Sequence, residues 1–150
     1  MNRTDAIRKI VAAHPGAAFV FANGLVSRQA VGALGLDGPY LYLLHGMGEA
    51  LSVSLGLASA LDREVVAVDG DGNAAMGLAA RPLLRRFPNL RYYILDNQQY
   101  ATTGGQEVPD FSDLDTDLVR RVAIEEDAQR QGNPPPPEQI LASFQRHLSA

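Results

Sequence analysis

Residues 65–73 read VVAVDGDGN: an unbroken apolar run from Val65 to Val68, then two carboxylates alternating with glycine before Asn73. A short β-branched run closed by Asp and Gly reads as a strand buried on both faces, the kind found in parallel sheets with helices above and below. The flanking sequence repeats the pattern. Ala17 to Ala22 (AAFVFA) lies between Gly16 and Asn23-Gly24, Tyr40 to Leu44 (YLYLL) runs into His45-Gly46, and Leu90 to Leu95 (LRYYIL) ends at Asp96-Asn97. The intervening segments carry helical spacing: Thr4 to Ala13 behind a Thr4 cap and stopped by His14-Pro15-Gly16, Ser27 to Leu34, the small-residue stretch Glu49 to Leu61, and Ala74 to Phe87. This alternation specifies an α/β fold, an open parallel sheet with helices on both faces and right-handed crossovers. Ligands on such sheets sit at the carboxyl ends of the strands, which singles out the loops at 23–28, 45–48, 70–73 and 96–106.

With 150 residues, 46% of them hydrophobic and 20% charged, the chain can bury one substantial core and is too apolar for a disordered segment. A net charge of -4 and a pI near 5.3 leave no general basic face for a phosphate backbone, so nucleic acid is not an expected partner. The first residues mix charge into apolar positions, which fits neither a secretory signal nor a membrane anchor and points to a cytoplasmic protein. There is no cysteine and there are three scattered histidines, so a metal would take oxygen ligands. From about Glu107 the apolar runs stop and no convincing strand follows; Pro134 to Pro137 read as an extended linker. Glu138 to Leu148 has helical spacing, with Ile140, Leu141, Phe144 and Leu148 on one face. The expected division is an α/β domain over residues 1–130 and a Pro-rich linker with a C-terminal helix over 131–150.

Asp71 stands between Gly70 and Gly72 at a strand end, where bare backbone N–H groups can approach a phosphate closely. Asn97 closes the next buried strand, and adjacent ends of a parallel sheet bring the two side chains to one edge. A carboxylate and a carboxamide oxygen, with a backbone carbonyl and diphosphate oxygens, would complete an octahedral magnesium site. The same residues also read as a capping Asp and a turn Asn.

Gly70-Asp71-Gly72-Asn73 followed by Leu95-Asp96-Asn97 resembles the thiamin diphosphate motif, which opens with Gly-Asp-Gly and ends in Asn. Four segments, NGLVSRQ (23–29), LLHGMGEALSVSLGLA (43–58), VVAVDGDGNAAMGL (65–78) and ILDNQQYATTGGQ (94–106), resemble in order the diphosphate-binding half of phosphonopyruvate decarboxylase and of the sulfopyruvate decarboxylase β subunit. The resemblance implies a thiamin diphosphate-binding fold shortened at its C-terminus. It makes Asp71 and Asn97 side-chain ligands of Mg2+, with Gln99 supplying its backbone carbonyl. Gly70, Gly72 and Asn73 then offer N–H or amide donors to the diphosphate, and Tyr100 and Thr102 join the cofactor site through the Gly-rich loop. Met47, between Gly46 and Gly48, matches the bulky apolar residue that holds the cofactor bent; filling the core is its other reading. His45 replaces a small residue, and both a diphosphate contact and a cap on the next helix fit it. Ser27 and Arg28 match a Ser-Arg pair that would meet an anionic substrate group, or else form a helix cap and a solvated cation.

Thiamin diphosphate chemistry needs a glutamate to tautomerise the aminopyrimidine so that the thiazolium C2 proton can leave. In this family that glutamate belongs to a pyrimidine-binding domain which nothing here resembles; Glu49 and Glu107, near the site loops, match no such position. The resemblance thus implies the β subunit of a heteromeric 2-keto acid decarboxylase whose separate α subunit carries the catalytic glutamate. The small, apolar surface of the Glu49 to Leu61 helix is the expected contact. A carboligase or acyl-transfer subunit and a non-catalytic α/β scaffold are the alternatives. A Rossmann-like nucleotide binder fits less well, because no GxGxxG opens the first strand-turn-helix.

Overall fold

The computed structural model describes residues 1–125 and 132–149. Helix α1 (Arg3–Ala13) leads into strand β1 (Ala18–Phe21), α2 (Leu25–Leu34), β2 (Tyr40–Tyr42), α3 (Ala50–Ala60), β3 (Val65–Gly70), α4 (Asp71–Met76) and β4 (Leu90–Asp96). Strand β5 (Val119–Ala123) and helix α5 (Pro137–Leu148) complete the described chain. The strands form one parallel sheet in the order β2-β1-β3-β4-β5, as the alternating pattern requires.

The unbroken apolar run of β3 follows from its central place. Val66 and Val68 face α1 and α2 together with Phe19, Phe21 and Leu95, while Val65 and Ala67 face α3 with Tyr92 and Ile94. Neither face of the strand meets water, so neither carries polar residues. The register pairs Val68 with Phe21 and Tyr93, and Gly70 with Leu95. The carboxyl ends of β1, β3 and β4 therefore finish at one level.

Several local expectations are corrected. The N-cap of α1 is Asn2, not Thr4: its side chain accepts the Asp5 N–H, and the helix starts at Arg3. Helix α2 starts at Leu25, two residues before Ser27. The single helix expected over Ala74 to Phe87 is broken at Gly77 into α4 and a 3-10 segment, Leu78–Arg86, that contains Pro82. Two causes are visible. Pro82 has no N–H to give an α-helix, and the Gly77 backbone lies so close to the neighbouring loop that a Cβ there would meet the Gly48 carbonyl oxygen at 2.4 Å.

The segment expected to lack a strand supplies β5, paired parallel to β4 from Tyr92–Val119 to Asp96–Ala123. An edge strand meets the core with part of its surface, so its sequence, VRRVA, carries arginines where a central strand carries valine. Helix α5 packs on β2 and buries Ile140 and Phe144, with Ser143 donating to the Leu36 carbonyl; Leu141, expected on the same face, is exposed. The division expected between residues 130 and 131 lies outside the described residues. The apolar residues of α3, Leu51, Leu55 and Ala58, turn inward, and its outer face presents Ser52, Gly56 and Ser59. Exposed Ala60 and half-buried Val53 and Leu57 share that face, which is built of small and apolar residues with two serines. Among the described residues no helix is long and apolar enough to cross a membrane.

Candidate functional site

The level strand ends build a cleft of about 100 Å3, open to solvent. Its walls come from the β1–α2 loop (Asn23, Gly24), from Met47, from the start of α4 (Gly70 to Asn73) with Met76, and from the segment after β4 (Asn97, Gln99, Tyr100, Thr102). Four segments far apart in sequence thus meet at one edge, as the parallel register demands.

Asp71 opens α4 and is buried, 3% exposed. Its Oδ1 accepts the Gly72 N–H at 2.9 Å, while its Oδ2 makes no hydrogen bond. Burial pushes its carboxyl up to about 6; the Gly72 N–H opposes this and the nearby Asp96 carboxylate adds to it. Asp96 is half-buried and paired with Arg121, so the buried Asp71 carboxylate, with one oxygen making no hydrogen bond, is the group that a divalent cation would relieve. Asn97 shares the cleft. Gln98 between it and Gln99 takes a φ of +60°, a left-handed conformation that folds the chain back, and the Gln99 carbonyl accepts the Ala101 N–H at 2.9 Å. A carbonyl oxygen keeps a second lone pair. Among the described residues no group of three or more His, Asp or Glu gathers around a metal-sized space. A cation here would rest on Asp71, on amide oxygens and on oxygens of its ligand.

The donors expected for a diphosphate are turned to the protein's own carboxylates. Gly70 N–H and Asn73 Nδ2 both donate to Asp69 Oδ1, at 2.9 and 2.7 Å, and Gly72 N–H donates to Asp71. Asp69 is itself buried. Burial pushes its carboxyl up to about 6 against the hydrogen bonds from Asn73, Tyr92 and Gly70. Asn73 Oδ1 in turn accepts the Gly48 N–H at 2.7 Å. Gly72 must be glycine for packing: a Cβ would meet the Tyr100 ring at 2.6 Å. Tyr100 and Thr102 line the cleft through a compact loop in which the Tyr100 carbonyl accepts from Thr103 and Gly105.

Met47 lines the cleft and is 64% exposed, which removes the core-filling reading. Gly46 and Gly48 flank it at φ values of +78° and +81°, a region that glycine enters without strain. His45 is exposed outside the cleft lining, and α3 has no side-chain cap, so His45 is not one. Ser27 is buried and donates to the Phe21 carbonyl at 3.0 Å, and Arg28 is exposed; neither lines the cleft. The cation that does is Arg3, buried, with its NH1 donating to Gln29 Oε1 at 3.2 Å. Nothing in the sequence marks Arg3, which stands in the first turn of an ordinary amphipathic helix. Asp69 and Asp96 also escaped the reading, although each adjoins a motif residue.

Behind Asp71 a second cavity of about 250 Å3 is bounded by Asp96, Glu107, Asp110 and Arg121. Arg121 donates to Asp96 at 3.0 Å and to Asp115 at 2.8 Å, and Arg81 pairs with the same Asp115. The two guanidinium groups sit 4.9 and 4.6 Å from the Phe111 ring centre. This cluster fixes β5 and the Phe111 loop beside Asp96.

The fold and the cleft agree with comparison to known proteins: the chain belongs to the family described as thiamine pyrophosphate enzyme, C-terminal TPP binding domain, which it matches over residues 26–147. Thiamine pyrophosphate is the thiamin diphosphate of the sequence motif. The β subunit of sulfopyruvate decarboxylase from Methanothermobacter thermautotrophicus is 36% identical over 109 residues, covering 71% of this chain and 58% of that one. The corresponding subunit from Methanocaldococcus jannaschii is 33% identical over 110 residues, covering 71% and 57%. Phosphonopyruvate decarboxylase from Streptomyces hygroscopicus is 37% identical over 108 residues, covering 70% and 27%. The matched region spans just over half the length of the β subunits and about a quarter of the phosphonopyruvate decarboxylase.

Proposed function

We propose that this chain is the diphosphate-binding subunit of a thiamin diphosphate- and magnesium-dependent decarboxylase acting on a 2-keto acid with a second acidic group, such as sulfopyruvate or phosphonopyruvate. The observation that carries the reading is Asp71: a buried carboxylate with one vacant oxygen, beside Asn97, in a cleft at the strand ends of a chain in this family. Asp71 Oδ2, the Asn97 side chain and the Gln99 carbonyl are the metal ligands in this reading. The diphosphate would be held through the cation bound by these residues, since Gly70, Gly72 and Asn73 already donate to Asp69 and Asp71. Gly70 and Gly72 keep the floor of the cleft free of side chains, and Tyr100 and Thr102 wall its other side.

When bound, the cofactor's thiazolium would accept the electron pair released as the substrate loses carbon dioxide. The chain's own part is to bind and orient. Met47, exposed in the cleft on a two-glycine turn, would pack against the cofactor and orient it. The names of the relatives support a two-subunit enzyme, so the reading includes an α subunit carrying the pyrimidine-binding domain and the catalytic glutamate. The exposed Met47 and Met76 at the cleft rim suit such a neighbour.

Co-production with a candidate chain that carries a pyrimidine-binding domain tests this reading. The mixture should release carbon dioxide from sulfopyruvate or phosphonopyruvate, dependent on both added cofactor and Mg2+. No release from either acid by a stable complex of the two chains would overturn it.

A further inference from the structure

Three facts about the Gly46–Gly48 turn belong together. It carries Met47 into the cleft; its last N–H, from Gly48, is held by Asn73 Oδ1 at 2.7 Å; and the other end of that amide, Nδ2, is held by Asp69 Oδ1 at 2.7 Å. Asp69 is anchored in turn, by the Gly70 N–H at 2.9 Å and by the Tyr92 hydroxyl at 2.9 Å. Asp69 and Tyr92 are each 1% exposed, so this chain of hydrogen bonds starts in the core and ends at the cleft. Both ends of the Asn73 amide are fixed, which leaves it one orientation.

The turn is also held by packing. A Cβ on Gly48 would meet the backbone of Met76 and Gly77 at 3.0 and 3.1 Å, so Gly48 lies directly against the end of α4. Helix α4 begins with Asp71. The metal-ligand candidate and the Met47 turn are therefore joined through one short helix, by Asn73 at its middle and by the Gly48–Gly77 contact at its end. Deeper in the sheet, Tyr92 on β4 ties Asp69 to the strand that delivers Asn97.

We infer that Asn73, oriented by Asp69 and Tyr92, is a positioning residue: it locks the Gly46–Gly48 turn to α4, so that Met47 is already placed beside the metal site before the cofactor arrives. This inference rests on the proposed function for its purpose, but the lock itself is a property of the cofactor-free chain. Its rationale is preorganisation. A loop with two positive-φ glycines is free to move in the absence of a restraint, and ordering it on binding would weaken affinity.

The test uses the full chain without cofactor. Amide hydrogen exchange at Gly48, followed by NMR, reads the lock directly. Asn73→Ala should lose at least about tenfold in Gly48 protection relative to wild type. Titration with thiamin diphosphate and Mg2+ should show affinity reduced by about tenfold, the usual scale for losing a residue that orients ligands. Tyr92→Phe removes a single bond to Asp69 and is the gentler variant should Asn73→Ala fail to fold; Gly48 protection should fall about threefold there. Ile140→Ala, which opens a cavity under α5 away from the cleft, supplies the comparison for general destabilisation and should leave both Gly48 protection and affinity near wild type. Wild-type protection at Gly48 in both variants, or an equal loss in Ile140→Ala, overturns the inference. If wild type takes up no cofactor, the functional reading fails, and Gly48 exchange still decides whether the lock exists.

Discussion

Asp69 and Asp71 are two residues apart, both are buried, and burial pushes both carboxyls up to about 6, yet they are placed for different work. Asp69 receives Gly70, Asn73 and Tyr92 and has become part of the framework. Asp71 receives Gly72 and keeps an oxygen vacant beside Asp96. In the proposed site a metal ion would compete with a proton for that oxygen. Cofactor affinity in Mg2+ should therefore rise as pH increases through about 6 and level off above it, a trend that titrations between pH 5 and 8 will measure. Without metal the sign for folding is the reverse. A folded-state carboxyl raised above its unfolded value holds a proton that the unfolded chain releases, so these two groups remove stability as pH rises from about 4 through 6. Asp71→Asn should stabilise the cofactor-free chain at pH 7.5 by on the order of 1–3 kcal/mol in urea unfolding, and should reduce its loss of stability between pH 5 and 7. Met47 belongs to the same scale. Because it is exposed, Met47→Ala should change stability by less than about 0.5 kcal/mol. In the assembled enzyme it should lower turnover about tenfold and cofactor affinity by less, since it removes an orienting contact and no diphosphate contact.

Among the elements, the helix expected after β3 teaches most about what a sequence displays. Asp71 and Asn97 were legible because strand ends in a parallel sheet have one address, and a central strand announces itself through an unbroken apolar run such as Val65 to Val68. The break at Gly77 was legible only in part: Pro82 stands in the sequence as a helix breaker, but the Gly48 backbone pressed on Gly77 is a neighbour nearly thirty positions away that no local pattern reveals. Gly77→Ala should accordingly cost about 1–3 kcal/mol and disturb Gly48, visible together as a lower urea midpoint and a shifted Gly48 amide resonance. Strand β5 was hidden for a different reason: its adjacent arginines read as loop until Tyr93 is seen against Arg120, and Asp96, Asp115 and Phe111 around Arg121. Arg121→Ala leaves Asp96 and Asp115 without that partner and should cost on the order of 1–3 kcal/mol, discounted from a fully buried pair because Arg121 is partly exposed. It should also drive the Asp71 carboxyl further up by leaving Asp96 less neutralised, so the pH dependence of metal binding moves to higher pH. The Ser27-Arg28 pair shows the limit of reading roles from motif position: the register of α2 buries Ser27 against Phe21 and turns Arg28 to solvent.

At the scale of the whole molecule, the five-stranded sheet has both faces covered and presents its chemistry along one edge, where the cleft stands open with Met47 and Met76 exposed on its rim. A permanent partner seated there would be expected to bury more than roughly 2,000 Å2. The chain without an α subunit should bind cofactor and turn over no keto acid, and complex formation should protect the amides flanking Met47 and Met76 from exchange. All of this depends on the cleft being a metal–diphosphate site. The direct measurement is calorimetric titration of thiamin diphosphate into the full chain, in Mg2+ and in EDTA, for wild type and Asp71→Ala. The account predicts saturable binding by wild type in Mg2+, no detectable binding in EDTA, and affinity lowered by at least about thirtyfold in an Asp71→Ala chain that remains folded, since removing a metal ligand costs more than removing a residue that orients one. Binding by wild type that is indifferent to EDTA, or by Asp71→Ala with wild-type affinity, would contradict it.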